Sequence, residues 1–329
     1  MKSLITITSL IISMCIGVTL YSQSPGATPA AMFLQMQTDA RTAAMGGVHN
    51  ISAPGCFNVF YNPSADLFST YKFGFGAGAS YRNEFPEHKL FSIAGYSKAG
   101  DKNLIALGIR YYNYPKTELF DNNNILTGYS KPNELSFDLG YARKIGNKLS
   151  ISAVGRYIYS HMDDNNKAGF AIAADFGITY MTPLNFKDRE GAYWSIAAST
   201  LNFGSKLKYS NRNFNLPTSI GFSSTLHLPL STNHQITTTG SINYPVFTSA
   251  SSAVELGLGA EYKVYKLLSL RAGYHISDAD KGFGSYPTVG LGVDLFGIKA
   301  DLSYWPAATT EREFRNYILL SLSTPFVFF

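Results

Sequence analysis

From about Tyr71 to the end of the chain, apolar and polar residues alternate with a period of two. Leu135, Phe137, Leu139 and Tyr141 share one face of an extended segment, while Glu134, Ser136, Asp138 and Gly140 share the other. Leu268, Leu270, Ala272, Tyr274 and Ile276 oppose Ser269, Arg271, Gly273 and His275 in the same way, and Ile298, Ala300, Leu302 and Tyr304 oppose Lys299, Asp301 and Ser303. Successive side chains of a strand point to opposite faces, so each run is a strand with one apolar and one polar face. Fourteen runs are countable, at about residues 70–81, 90–98, 103–112, 134–143, 148–160, 168–181, 192–202, 216–228, 233–245, 252–263, 267–277, 285–296, 297–305 and 315–325. Their lengths centre on the ~9–11 residues that a tilted strand needs to cross a bilayer.

The connections carry a second pattern. Those after even-numbered runs are tight (Ala99–Lys102, Gly146–Asn147, Pro229–Thr232, Phe296–Gly297), and those after odd-numbered runs are long (Asn113–Asn133, Phe203–Asn215, Pro306–Phe314). Thr182–Gly191 is long on the short side, and Pro245–Ser251 is short on the long side. Short periplasmic turns, long outer loops and an even strand count are the marks of a bacterial outer-membrane barrel. Tyr81, Tyr111, Tyr112, Tyr157, Tyr159, Tyr244, Tyr274, Tyr304 and Trp305 gather where strands approach the outer interface, a level that amphipathic rings favour. A soluble sandwich would have to clothe fourteen long strands in Gly, Ser and Ala. The predicted fold is therefore all-β: a transmembrane antiparallel up-and-down barrel of about 14 strands, with a small helical hatch ahead of it.

Three stretches divide the chain. Residues 1–22 carry Lys2, an apolar run from Leu4 to Leu20 and then small polar residues, the form of a signal peptide cleaved near Ser22–Gln23. No later stretch reaches the ~18 apolar residues of a membrane helix, so the expected location is the outer membrane, crossed by strands. Residues 23–69 do not alternate. Ala31, Leu34, Thr38, Arg41 and Met45 are spaced by three or four, which predicts one amphipathic helix from Ala30 to Met45, stopped by Gly46-Gly47. Turns follow at Pro54-Gly55 and Asn62-Pro63. This segment is expected to plug the lower lumen, the alternative being a flexible periplasmic arm. Residues 70–329 form the barrel, and the closing Phe326-Val327-Phe328-Phe329 resembles the terminal aromatic read by the outer-membrane assembly machinery.

Composition sharpens this picture. Residues are 45% hydrophobic but only 15% charged, which disfavours both an ordinary soluble enzyme and a disordered chain. The net charge of +5 comes from scattered basic residues, so no nucleic-acid partner is expected. Beyond the leader Cys56 is the only cysteine, and the six histidines are not spaced as metal ligands. No nucleophile elbow, phosphate loop or dinucleotide fingerprint occurs; catalysis, cofactor and metal are all unexpected. Inward-facing Glu134, Asp138, Arg156, Glu255, Glu261, Arg271, Lys299 and Asp301 mix signs and are expected to pair with one another and hold the hatch. With no hatch they would line an ion path.

Asp39-Ala40-Arg41-Thr42-Ala43-Ala44-Met45-Gly46-Gly47, followed by Phe60-Tyr61-Asn62-Pro63-Ser64, resembles the start of the PorV/PorQ family, barrels of the FadL type that serve type IX protein secretion. Lys131-Pro132-Asn133-Glu134 with Tyr141-Ala142-Arg143-Lys144 is closer to PorV, and Leu270 to Tyr274 with Gly290 to Asp294 extends the likeness to the C-terminal strands. The loops are shorter than the family's, and Ser64 replaces its usual Ala. The resemblance marks Asp39, Arg41, Met45, Gly46, Asn62 and Pro63 as hatch-motif residues. It implies three partners within the outer-membrane lipid: a secretion channel, a sortase-like surface enzyme and the C-terminal domains of cargo proteins. Tyr114, Leu119, Phe120, Tyr209 and Phe214, on the two longest outer loops, are the candidate partner contacts. Two other functions compete: a FadL-like transporter of a hydrophobic small molecule, with the hatch as gate, and an open porin.

Overall fold

A computed structural model of the chain describes residues 29–47, 52–82, 88–121, 123–162, 168–186, 190–209, 212–246, 253–278, 284–306 and 316–326. The expected leader and the terminal Phe329 lie outside them. In chain order the strands are β1 (Phe73–Arg82), β2 (Lys89–Ala99), β3 (Asn103–Asn113), β4 (Thr117–Phe120), β5 (Leu126–Ser130), β6 (Asn133–Ile145), β7 (Leu149–His161), β8 (Gly169–Pro183) and β9 (Tyr193–Gly204). They continue as β10 (Leu207–Tyr209), β11 (Arg212–Phe214), β12 (Ser219–Pro229), β13 (His234–Pro245), β14 (Glu255–Val264), β15 (Leu268–Ile276), β16 (Tyr286–Leu295), β17 (Ile298–Trp305) and β18 (Tyr317–Phe326). Fourteen of them close an antiparallel barrel, sealed where β1 pairs with β18 from Phe73↔Phe326 to Arg82↔Tyr317. The hairpins β4–β5 and β10–β11 are separate two-stranded sheets in the long outer loops, and β10 folds back so that Leu207 is buried against the inner core.

Each wall strand falls within three residues of its expected bounds. The alternation explains why. Ile105, Leu107 and Ile109 point outward and are exposed, as are Phe137, Leu139 and Tyr141 on β6. In a bilayer these side chains meet lipid, and closure leaves no edge whose backbone groups would be stranded in hydrocarbon. No helix among the described residues is long and apolar enough to span a membrane. The tight turns put Gly100 and Gly146 at positive φ (69° and 74°), where a residue without Cβ is unstrained.

Two expectations are corrected here. Tyr112 and Trp305 do not join the outer aromatic belt; both are buried and face inward, while their neighbours Tyr111 and Tyr304 face out. Adjacent residues of a strand cannot share a face. The predicted helix from Ala30 to Met45 is also broken. It consists of a 3-10 turn (Met32–Gln35), an extended stretch through Met36 and Asp39, and the five-residue helix α1 (Ala40–Ala44). Asp39 is the helix cap, its carboxylate accepting from Thr42 N at 2.8 Å, so the helix starts only there.

The barrel's buried core lies inside the wall, between it and residues 29–69. Phe57, Val59, Phe60, Tyr61 and Leu67 pack against Tyr96, Leu104, Ala106, Ala142 and Val154. Further out, Phe33 and Leu34 meet Leu90, Tyr112, Ile158 and Leu207.

Candidate functional site

The hatch is held on two sides. On β14–β18 the contact is mostly through backbone. Gly259 and Gly273 are cross-strand partners, and a Cβ on either would collide with the backbone of Met45 or Gly46; one on Gly290 would strike Ala44. Around this bare strip, wall side chains satisfy the ends of α1. Ala40 N donates to Ser321 Oγ (3.1 Å), Gly46 N to Thr288 Oγ1 (3.1 Å), Thr288 Oγ1 to Ala44 O (2.9 Å) and Trp305 Nε1 to Ala43 O (3.1 Å). A helix this short leaves most of its terminal N–H and C=O groups without intrahelical partners, so the wall supplies them. Arg41 adds a charged tie, donating from Nε and Nη2 to Glu261 at 3.1 and 3.2 Å. Glu261 also accepts from Arg271, which reaches Asp301 at 2.6 Å, so charges alternate along the wall.

On β3–β9 the contact is made by side chains. Asn62 Nδ2 donates to Thr179 Oγ1 at 2.9 Å, and Ser152 donates to Asn62 Oδ1 at 3.1 Å. Pro63 opens a buried 3-10 segment (Pro63–Phe68) that Asn62 caps. Above it Arg110 donates to the Leu34 carbonyl at 3.1 Å and lies 4.7 Å from the centre of the Phe60 ring. It also donates to Ser136 Oγ at 3.0 Å and pairs with Asp138, which also binds Arg156; Arg156 in turn pairs with Asp175 at 2.7 Å and donates to Asn202. Asn202 sits at φ 57°, where the β8–β9 register slips between Ala174 and Phe176. All these charged groups are buried.

Within the hatch, Asp66 accepts from Gly55 N (2.8 Å) and Asn58 Nδ2 (2.6 Å). Burial drives its carboxyl up to about 8, against the opposing pull of those two donors and of Lys98. Burial likewise pushes the Cys56 thiol up to about 12, which leaves it an unreactive thiol.

The outer-loop candidates divide. Tyr114 turns inward, donating to Glu134 at 2.7 Å and meeting Tyr112 edge-on at 4.6 Å. Tyr209 bonds Ser160, and Phe214 packs edge-on against Tyr209. Leu119 is half-buried, whereas Phe120 is 52% exposed. Beside Phe120 the same hairpin exposes Ile125, Leu126 and Tyr129, three residues the sequence reading did not single out.

The family model described as type IX secretion system protein PorV matches residues 22–249, well over half of the chain. This chain belongs to the PorV family. It is thereby an outer-membrane component of type IX secretion. Comparison with curated proteins finds no significant match. Among solved structures, the Ralstonia pickettii toluene transporter TbuX is similar at a TM-score of 0.58 and 13% identity, over 89% of this chain and 99% of that one. The Pseudomonas putida toluene transporter TodX gives 0.55 and 12%, covering 87% and 97%. A Pseudomonas aeruginosa FadL homologue gives 0.50 and 10%, covering 88% and 99%. At such identities the likeness shows a shared fold, the FadL-like barrel. Neither the PorV family nor these neighbours is described as an enzyme.

Within this PorV-family barrel, Asp39, Arg41, Met45, Gly46, Asn62 and Pro63 lie at the hatch–wall junction or cap the turns that reach it. Sequence reasoning missed Arg110, Asp175 and Asn202. It gave no role to the glycines of β14–β16. The signal for them was present in one form: glycines recur on the inward face of consecutive strands, as at Gly259, Gly273 and Gly290.

Proposed function

We propose that this protein binds secreted cargo, or the secretion channel, through its outer hairpins, and passes cargo towards surface attachment while the hatch keeps the lumen shut. The observation that carries the reading is the β4–β5 hairpin. It projects from the wall with Phe120, Ile125, Leu126 and Tyr129 exposed together, on a chain that belongs to the PorV family. Four large apolar groups on one small hairpin are costly in water and mark a surface that meets a partner. Lys116 lies 3.4 Å over the Tyr129 ring, adding a cation to that surface. The inward-turned Tyr114 fixes the base of the hairpin to Glu134.

The test replaces Phe120, Ile125, Leu126 and Tyr129 together with Ser and follows secretion and surface retention of cargo. Heat-modifiability on gels checks that the barrel still assembles. Loss of secretion from an assembled barrel, with loss of co-purified channel or cargo, is the expected result. Undiminished secretion removes the hairpin from the argument. Recovery of the native barrel alone with bound lipid favours transport of a hydrophobic compound.

A further inference from the structure

The short-turn end of the barrel departs from its own rule at one place. Five of its connections are two to four residues long, but nine residues separate Pro183 of β8 from Tyr193 of β9. The base of this loop is closed by Leu184 N donating to Ala192 O at 2.8 Å. Between it and the β6–β7 turn lies a pocket of about 460 Å³, lined by Phe68 of the hatch with Met181, Leu184, Phe186 and Tyr193. Lys144 and Glu190 are the charged groups of its lining. Phe186 is half exposed, and Lys144 sits 4.8 Å over the Phe68 ring.

The charge around this pocket is mostly basic, with Glu190 the one acidic group of its lining. Backbone pairing places Lys102 beside Lys144 (Lys144 N to Lys102 O, 2.8 Å) and Lys148 beside Met181 (Met181 N to Lys148 O, 2.8 Å). Lys98, Lys263 and Lys299 continue the basic ring around the mouth, all three on the inward parity of their strands. The carboxylates near these lysines are largely engaged: Asp294 pairs with Lys263 at 3.3 Å, Glu261 with Arg41 and Arg271, Asp301 with Arg271, and Asp66 is buried in the hatch, which leaves Asp101 and Glu190 at the rim. A whole-chain charge of only +5 makes this local excess a placed feature.

We propose that the periplasmic mouth docks an acidic peptide segment of a periplasmic partner, which seats an apolar side chain in the pocket between Phe68 and Phe186. Met181 and Tyr193 share the inward face with Thr179 and Ser195, so the wall itself separates the pocket from lipid. A soluble peptide reaches it where a lipid headgroup does not. The lysines steer the segment and the aromatic floor anchors it, so affinity combines a salt-sensitive part with a salt-insensitive one. The inference goes beyond the outer-hairpin reading and stands or falls separately.

The experiment uses the full-length protein in detergent and a fluorescein-labelled peptide of alternating Asp and Glu around a central Leu-Phe pair. Anisotropy is read at low and high salt, for the protein and for two variants: Lys102→Gln with Lys144→Gln and Lys148→Gln, and Phe186→Ser alone. The expected result is binding that weakens at least tenfold in the triple variant, weakens several-fold in Phe186→Ser, and loses its salt dependence only in the former. Three results overturn the proposal: no binding of the acidic peptide, equal binding of a Lys-substituted counterpart, or full displacement by vesicles of phosphatidylglycerol. The substituted positions lie in exposed turns or at the mouth, and heat-modifiability confirms that each variant assembles.

Discussion

The two walls of the lumen hold the same plug by different physics. On β14–β16 a strip of glycines lets backbone meet backbone, Gly259 and Gly273 leaving room for Met45 and Gly46, inside a frame of wall side chains that bond the hatch's main chain. On β3–β9 the wall keeps its side chains, and buried Arg110, Asp138, Arg156 and Asp175 form a continuous charged row behind the hatch. A backbone seat depends on volume and is indifferent to charge. A buried ion network depends on every member, because removing one strands the others in a low-dielectric interior. The first wall is therefore sensitive to added atoms and the second to removed ones.

The largest effect is expected from removing the centre of the network. Arg156→Ala leaves Asp138 and Asp175 without their shared cation, a change that costs about 3–5 kcal/mol in buried pairs. Thermal unfolding in detergent should fall sharply. Replacing Arg156 and Asp175 together by Met and Asn, which leaves the Arg110–Asp138 pair intact, should recover part of the loss, and failure of that recovery would show that packing rather than charge is at stake. Next comes the opposite wall. Gly273→Ala forces a methyl group into the Gly46 backbone, and overpacking of this kind costs about 1–3 kcal/mol. Here the readout is the hatch: conductance across a planar bilayer should rise as the seat loosens. Gly155→Ala, whose added methyl meets nothing within 4 Å, is the matched control. Equal conductance in the two variants would end the idea of a glycine seat. Smaller still is Arg41→Ala. Its side chain is a quarter exposed, so its pair with Glu261 is worth about 1 kcal/mol or less. Raised salt should reproduce much of the effect in unaltered protein.

The same contrast explains what could be read from the chain. The outer faces were legible because lipid demands an unbroken apolar row, as on Leu135, Phe137, Leu139 and Tyr141. The inner face of β3 reads Leu104, Ala106, Gly108, Arg110 and Tyr112, which is apolar as well because the hatch packs on it. With both faces oily, parity no longer separates Tyr111 from Tyr112, and a lone Arg110 gives no hint of its partners. The hatch itself follows no period. Ser92 takes the Thr38 carbonyl at 2.6 Å, which keeps the chain extended there and delays α1 to Ala40. That contact joins residues 54 apart in sequence, so local spacing could not announce it.

The finest probe of the plug is its own titration. Asp66 is held between Gly55 N and Asn58 Nδ2, and burial lifts its carboxyl from the ordinary 3.8 to about 8. A group whose folded value is raised favours the folded state when protonated. Its contribution is complete below about pH 4, declines between pH 4 and 8, and is gone above 8. The hatch should therefore grip more firmly at pH 5 than at pH 8.5, seen as a higher melting temperature and slower proteolysis of residues 52–69. Asp66→Asn keeps the accepting oxygen and cannot ionise, so its melting temperature should lose that slope and match the unaltered protein at low pH. If the variant keeps the slope, another group sets it, and the hatch responds to pH through the wall it rests on rather than through its own core.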